Sequence, residues 1–228
     1  MKKLSLTGNQ LKLIALVTMT IDHVGMELFP RQLILGIIGR LAMPIFAYMI
    51  AEGCRHTRNK AKYLLTMLAF AAVCQAVYFF AMGSLYMCIL VTFSLSICLI
   101  FLLERSMTEK SAAAYALFGC AAAAVYVLCE VLPGLLPGID FRVDYGFWGV
   151  MLPVFIYLGK TRSEALVMSA LGMTLLSAAC GYIQWYSLAA LPLLALYSGQ
   201  RGKYKMKYLF YIYYPAHLAV LHCLSLLR

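Results

Sequence analysis

The sequence predicts an all-α, polytopic membrane protein with about eight or nine transmembrane helices and a cytoplasmic N-terminus. Three observations predict it. Of 228 residues, 64% are hydrophobic and 12% charged, with a mean hydropathy of +0.84; ordinary soluble domains run near 45–50% apolar and about 25% charged. A chain this short has too little interior to hide the excess, so that excess must face lipid. Apolar runs of span length recur between short polar breaks, and the basic residues fall on alternate breaks.

The first run, 11–29, follows Met1-Lys2-Lys3 and has the outline of a signal peptide. It continues through Asp22-His23 and lacks a small-residue cleavage site, so it reads as the first span. Further runs cover 32–53, 62–82, 85–103, 111–132, 146–159, 163–181, 183–199 and 206–227. The sixth is short, which suits a tilted or partly re-entrant segment. The seventh and eighth are separated by little more than Gly181, which leaves the count at eight or nine. The spans consume nearly the whole chain, so residues 1–228 read as one membrane domain with no separate soluble part. There is no internal repeat, low-complexity tract or linker.

Nineteen Lys+Arg against nine Asp+Glu give a net charge of +10. In a soluble chain that excess would point to nucleic acid; here it is the positive-inside signal, and no nucleic-acid partner is expected. With the N-terminus inside, Lys2, Lys3, Lys12, Arg55, Arg58, Lys60, Lys62, Arg105, Lys110, Lys160, Arg162, Arg201, Lys203, Lys205 and Lys207 fall on the inner side. Only Arg31, Arg142 and Arg228 fall outside, and Arg40 lies within a span. The longest outer loop, about 130–145, carries Glu130, Asp140 and Asp144. The eight cysteines form no C-x-x-C pair and lie mostly in apolar runs, so they read as small hydrophobes rather than a disulfide frame or zinc site.

Ionisable groups inside spans cost several kcal/mol unless paired or facing a cavity, so each is a functional candidate. Asp22 precedes the outer turn at Pro30–Arg31 by about as many residues as Arg40 follows it. At about 1.5 Å per residue both sit roughly 12–14 Å below that turn, which predicts an Asp22–Arg40 ion pair, either structural clamp or site component. His23 points about 100° away from Asp22 on the helix, with Glu27 at i+4 placed to hold one imidazole nitrogen. The other nitrogen is then free to act as a general base; the alternative is a hydrogen-bonded interior histidine. At the inner end of the second span stand Glu52, Arg55, His56, Arg58, Lys60, Lys62 and Tyr63. They read either as a flank for anionic headgroups of the membrane lipids or as a phosphate-binding mouth. In the last span, Pro215 frees a carbonyl and bends the helix, presenting Tyr213, Tyr214 and His217 near mid-membrane. Asp144 and Tyr145 form either a helix cap or part of an outer substrate mouth. Gln75, Tyr78, Gln184 and Trp185 suit a cavity lining, with nothing in the sequence to rank them.

The motifs together, Asp22-His23-x-Gly25, Gly39-Arg40-x-Ala42-x-Pro44, Glu52-Gly53-x-x-His56-Thr57-Arg58-Asn59, Asp144-Tyr145-Gly146 and Tyr213-Tyr214-Pro215-x-His217, resemble the TraX family, whose namesake acetylates the N-terminus of F-pilin. The resemblance runs from about residue 11 to 220. The family is similar in turn to a broader set of transmembrane acyltransferases that includes heparan-α-glucosaminide N-acetyltransferase and the acyltransferase-3 polysaccharide O-acetylases. The resemblance implies an acetyl group drawn from cytoplasmic acetyl-CoA, with no metal, and delivered to an outer acceptor: a pilin-like peptide amine or a surface glycan. It implies His23 as the base, with Asp22, Arg40 and Glu27 around it. It implies a CoA site drawn from Glu52, Arg55, His56, Arg58, Lys60, Tyr63, Tyr214 and His217, with the pantetheine arm threading between the second and last spans. If Asp144 and Tyr145 form the outer mouth rather than a cap, the acceptor would meet them there. Arg40, Tyr214 and His217 are the choices for oxyanion donor, Arg40 first if Asp22 does not fully consume it. A transporter is the competing reading, but the buried charges crowd into the first two spans without a repeat, which favours the enzyme.

Overall fold

The computed structural model describes residues 5–203 and 206–227. Every regular element among them is helical, and the only β-type pairings are isolated bridges, Leu6 with Tyr197 and Met87 with Val143. In chain order the helices are α1 (Gly8–Leu28), α2 (Leu33–Gly39), α3 (Ala42–His56), α4 (Lys60–Met82), α5 (Ile89–Glu109) and α6 (Ala112–Tyr126). A π-helical turn (Val127–Val131) leads into α7 (Leu132–Leu135), then come α8 (Gly146–Leu158) and α9 (Arg162–Cys180). A 3₁₀ stretch (Tyr182–Ala190) joins α10 (Leu191–Ala195), and α11 (Lys207–Leu226) ends the chain. Five helical runs are long and apolar enough to cross a bilayer: Leu33–His56, Lys60–Phe80, Ile89–Glu109, Ala112–Leu135 and Arg162–Cys180. Gly146–Leu158 and Ile212–Leu226 are shorter apolar helices. α1 has 21 residues, but Asn9, Lys12, Asp22, His23 and Glu27 keep it outside that group. The protein is therefore an all-α, multi-pass membrane protein.

Local chemistry explains the boundaries. Thr7 and Gln10 form a capping box that starts α1, and Thr161 with Glu164 does the same for α9. The Asn59 and Ser111 side chains cap α4 and α6. The chain divides into two compact units, Met1–Met49 with Gly159–Arg228, and Ile50–Leu158.

In the first unit α1 packs against α2 and α11, and α9 against the 3₁₀ stretch. Two of the sequence-predicted spans take unexpected forms. The second is not one continuous helix, since a turn at Arg40–Leu41 separates α2 from α3. The eighth, 183–199, is not an α-helical span: most of it is 3₁₀, followed by five α-helical residues in α10. The Leu6 N–H donates to the Leu196 carbonyl at 2.7 Å, the Gly8 N–H to Gln200 at 2.8 Å, and the Arg162 guanidinium to the Ala195 carbonyl. The starts of α1 and α9 therefore lie beside the end of α10. A 3₁₀ helix rises about 2.0 Å per residue against 1.5 Å for α, so residues 182–195 reach about 26 Å, close to the roughly 28 Å of α9. That tighter winding lets a short segment return along the whole length of its neighbour.

In the second unit α5 is the central helix, 61% buried over its apolar window against 17% for α4 and for the Ala112–Leu135 run. It is joined to α8 by the Ser96 hydroxyl, which reaches the Val150 carbonyl at 2.8 Å. The outer faces of α4 and α6 are left to lipid.

Candidate functional site

The first unit contains a buried polar cluster built on α1. Asp22 and Arg40 meet as predicted: Arg40 Nη2 donates to Asp22 Oδ1 at 2.8 Å and to Oδ2 at 2.7 Å. Arg40 can reach because it stands at the C-cap of α2, where the helix ends and the side chain turns back along it. Its Nε donates to the Gly36 carbonyl at 3.1 Å and its Nη1 to Gln184 Oε1 at 3.3 Å. All three guanidinium nitrogens are thus engaged by the protein. The condition for Arg40 to rank first as oxyanion donor is therefore not met; its geometry is that of a clamp tying α1, α2 and the 3₁₀ stretch together. Gly39 makes the clamp possible, because a Cβ there would overlap the Asp22 side chain. Gly39→Ala is expected to lower stability by about 1–3 kcal/mol through overpacking, read as a lower unfolding midpoint in detergent.

His23 faces another way, toward α11. Its Nδ1 lies 2.7 Å from His217 Nε2. The two rings are nearly coplanar, 9° apart with centroids 4.9 Å apart, which is the spacing of an in-plane, end-to-end N–H···N bond. The tautomers follow from the far end of this chain. His217 Nδ1 lies 2.9 Å from the Tyr213 carbonyl oxygen, which can only accept, so Nδ1 carries the proton. In a neutral His217, Nε2 is then the acceptor, His23 Nδ1 donates to it, and His23 Nε2 keeps its lone pair. Glu27 is therefore not the group that holds His23; the expectation of an i+4 partner is replaced by one from a different helix. The relay is braced on α11. Tyr213 stacks on His217 with centroids 5.1 Å apart, and its hydroxyl lies 2.9 Å from Thr20 Oγ1. Since Thr20 spends its own proton on the Leu16 carbonyl at 2.8 Å, the tyrosine is the donor. Tyr214, 6% exposed, sets its ring edge-on to both imidazoles. His217 and Tyr214, expected at a CoA site, thus stand against the candidate base.

The basic segment lies in the second unit and is less open than its sequence suggests. Arg55 donates to Glu52 Oε1 at 2.6 Å and to the Ile156 carbonyl at 2.5 Å, with its guanidinium over the Tyr157 ring. Lys60 pairs with Glu104 at 2.8 Å. His56 is exposed, 3.6 Å from Glu52. The Tyr63 phenol packs on the backbone of Gly53, where a Cβ would collide with it. Arg55 is thus held by internal partners, while Lys60, with its side chain 47% exposed, makes its ion pair at the surface. Arg58 and Lys62 are exposed at the start of α4, and no ion pair engages them among the described residues.

At Asp144 and Tyr145 the structure shows a built turn. The Tyr86 hydroxyl donates to Asp144 Oδ1 at 2.6 Å and the Thr92 hydroxyl to the Asp144 carbonyl at 2.8 Å. Tyr145 and Gly146 both adopt left-handed backbone, with φ of 59° and 57°. At the start of α8 the Glu130 side chain also contributes, its Oε1 accepting the Phe147 N–H at 2.8 Å. Among the described residues no three of His, Cys, Asp and Glu come together as metal ligands do.

The comparisons with known proteins bear on this arrangement. The chain is 26% identical over 264 aligned residues to the probable fimbrial assembly protein FimC, serogroup H1, of Dichelobacter nodosus, covering 96% of each chain. A shorter stretch of 38 residues, 17% of this chain and 15% of the other, is 53% identical to the uncharacterized protein RP591 of Rickettsia prowazekii (strain Madrid E). No solved structure matches. The family model described as TraX protein matches residues 7–225, the extent that includes the Asp22–Arg40 clamp and the His23–His217 relay, and the chain therefore belongs to the TraX family.

Proposed function

We propose that the chain is an integral membrane acetyltransferase of a bacterial cytoplasmic membrane, moving an acetyl group from cytoplasmic acetyl-CoA to an amine or hydroxyl at the outer face. The observation that carries this reading is the relay from the Tyr213 carbonyl through His217 to His23, which leaves His23 Nε2 as a fixed lone pair on α1. In the reaction, Nε2 takes the proton of the acceptor N–H or O–H as the acceptor's lone pair bonds to the thioester carbonyl carbon. The carbonyl π pair moves onto its oxygen. When that pair returns, the C–S bond breaks, and the CoA thiolate leaves and takes the proton back from His23. His217 is a positioning residue that fixes the ring and its tautomer, as an orienting acceptor does for other catalytic histidines. Asp22 and Arg40 hold α1 in place. Direct transfer is the preferred route, with an acetyl-histidine the alternative.

Membership of the family and the name of the Dichelobacter relative support a place beside pilus assembly. A pilin-like peptide N-terminus is therefore the first acceptor to test, and a surface glycan the second. The relay is tested with two variants. His217→Ala is expected to lower the turnover number about 10²- to 10⁴-fold with the acetyl-CoA KM little changed, as loss of an orienting partner does. His217→Gln, whose amide oxygen can accept from His23 Nδ1, should recover part of that loss. Parental turnover in His217→Ala contradicts the relay. For the donor, neutralising exposed Arg58 and Lys62 together should weaken CoA binding about tenfold or more and flatten its salt dependence. Unchanged affinity returns that segment to lipid headgroups.

A further inference from the structure

Four buried side-chain polar atoms lack a hydrogen-bond partner among the described residues, and three of them, Ser177 Oγ, Gln184 Nε2 and Ser187 Oγ, fall in one short stretch of the first unit. A buried polar group left unpaired costs about 1–3 kcal/mol, so a row of them calls for a reason. The 3₁₀ winding sets the row: with three residues per turn, Gln184, Ser187 and Ala190 share one face, and all three are buried. Ser169, one helix away, shows the ordinary alternative, its hydroxyl turned back to the Ala165 carbonyl at 2.6 Å.

The orientation of Gln184 is fixed. A guanidinium has donors only, so the amide atom 3.3 Å from Arg40 Nη1 must be the oxygen. The nitrogen, with two N–H groups, is then the atom that is buried and without an acceptor, on a residue only 3% exposed. A carboxamide whose oxygen is held by a guanidinium is polarised, and its N–H groups become stronger donors. Arg40 also ties Gln184 to Asp22, the residue before His23 in the chain. With all three guanidinium nitrogens of Arg40 and both ring nitrogens of His217 engaged, Gln184 Nε2 joins Tyr214 as a group that could meet the developing oxyanion.

We infer that Gln184 Nε2 is the oxyanion donor: its N–H receives the thioester carbonyl oxygen as the π pair moves onto it, and Arg40 and Asp22 preorganise the amide. The inference rests on the acyl-transfer reading. Its test is steady-state acetyl transfer to a peptide amine by the full chain in nanodiscs, with Gln184→Glu and Gln184→Met. Glutamate keeps an oxygen for Arg40 and loses the N–H; methionine keeps the size and loses both. Both folded variants are expected to lose about 10²- to 10³-fold in turnover number, with acetyl-CoA affinity within about twofold of the parent, as removal of an oxyanion donor does. If Gln184 serves only to hold Arg40, Gln184→Glu retains parental turnover while Gln184→Met does not, and the inference is overturned. It is overturned equally if both variants turn over within about threefold of the parent. A parent chain that binds acetyl-CoA and acceptor yet transfers nothing overturns the acyl-transfer reading itself, a result the variants do not touch.

Discussion

Asp22→Asn is expected to lower the stability of the fold by about 3–5 kcal/mol, the usual cost of removing one partner of a buried ion pair. The pair is well inside the protein, with side-chain exposures of 10% for Asp22 and 19% for Arg40. Its bidentate contact takes both carboxylate oxygens. Asparagine fits the space but leaves the guanidinium without a counter-charge. Because Arg40 also bonds Gly36 and Gln184, the change reaches α2 and the 3₁₀ stretch as well as α1. Chemical or thermal unfolding in detergent reads it directly. The double variant Asp22→Asn with Arg40→Gln should recover part of the loss, since it removes the stranded charge. An Asp22→Asn protein as stable as the parent contradicts the clamp.

His23→Ala is expected to have the largest effect on activity, a loss of about 10²- to 10⁴-fold in acetyl transfer, the range for a positioned general base. Among the described residues His23 Nε2 is the one ring nitrogen of the relay without a hydrogen-bond partner, and both nitrogens of His217 are engaged. Removal of the ring leaves His217 Nε2 without its donor but with room for water, so folding and CoA binding should change little. Saturation binding of CoA together with the unfolding midpoint separates lost chemistry from lost structure. Retained turnover removes His23 as the base.

Much of this was legible in the sequence, and the exceptions share a cause. Depth along a helix can be counted, and counting from Pro30–Arg31 placed Asp22 and Arg40 at one level. Which helices are neighbours cannot be counted. His23 was therefore given to Glu27, the nearest group on its own helix, when its partner His217 lies 194 residues away on α11. The signal that could have paired them was present: two histidines, each well inside an apolar run, both needing a polar partner. The pairing within the basic segment was hidden for a related reason, since charge composition cannot reveal that Glu52 and Glu104 pair with Arg55 and Lys60. The 3₁₀ return strand was hidden because an apolar run reads alike at three or 3.6 residues per turn. Its buried positions, Gln184, Ser187 and Ala190, are three apart, and only the structure gives that spacing meaning.

The central claim is that the chain transfers an acetyl group, and release of free CoA thiol tests it most directly. Purified protein in nanodiscs would be given acetyl-CoA with and without a short peptide bearing a free N-terminal amine. Thiol release that rises with the peptide, matched mole for mole by acetyl-peptide in the mass spectrum and abolished by His23→Ala, is the result the account predicts. Saturating acetyl-CoA with neither binding nor thiol release, at any acceptor concentration, contradicts it and leaves Asp22, His23 and Arg40 to a transport function.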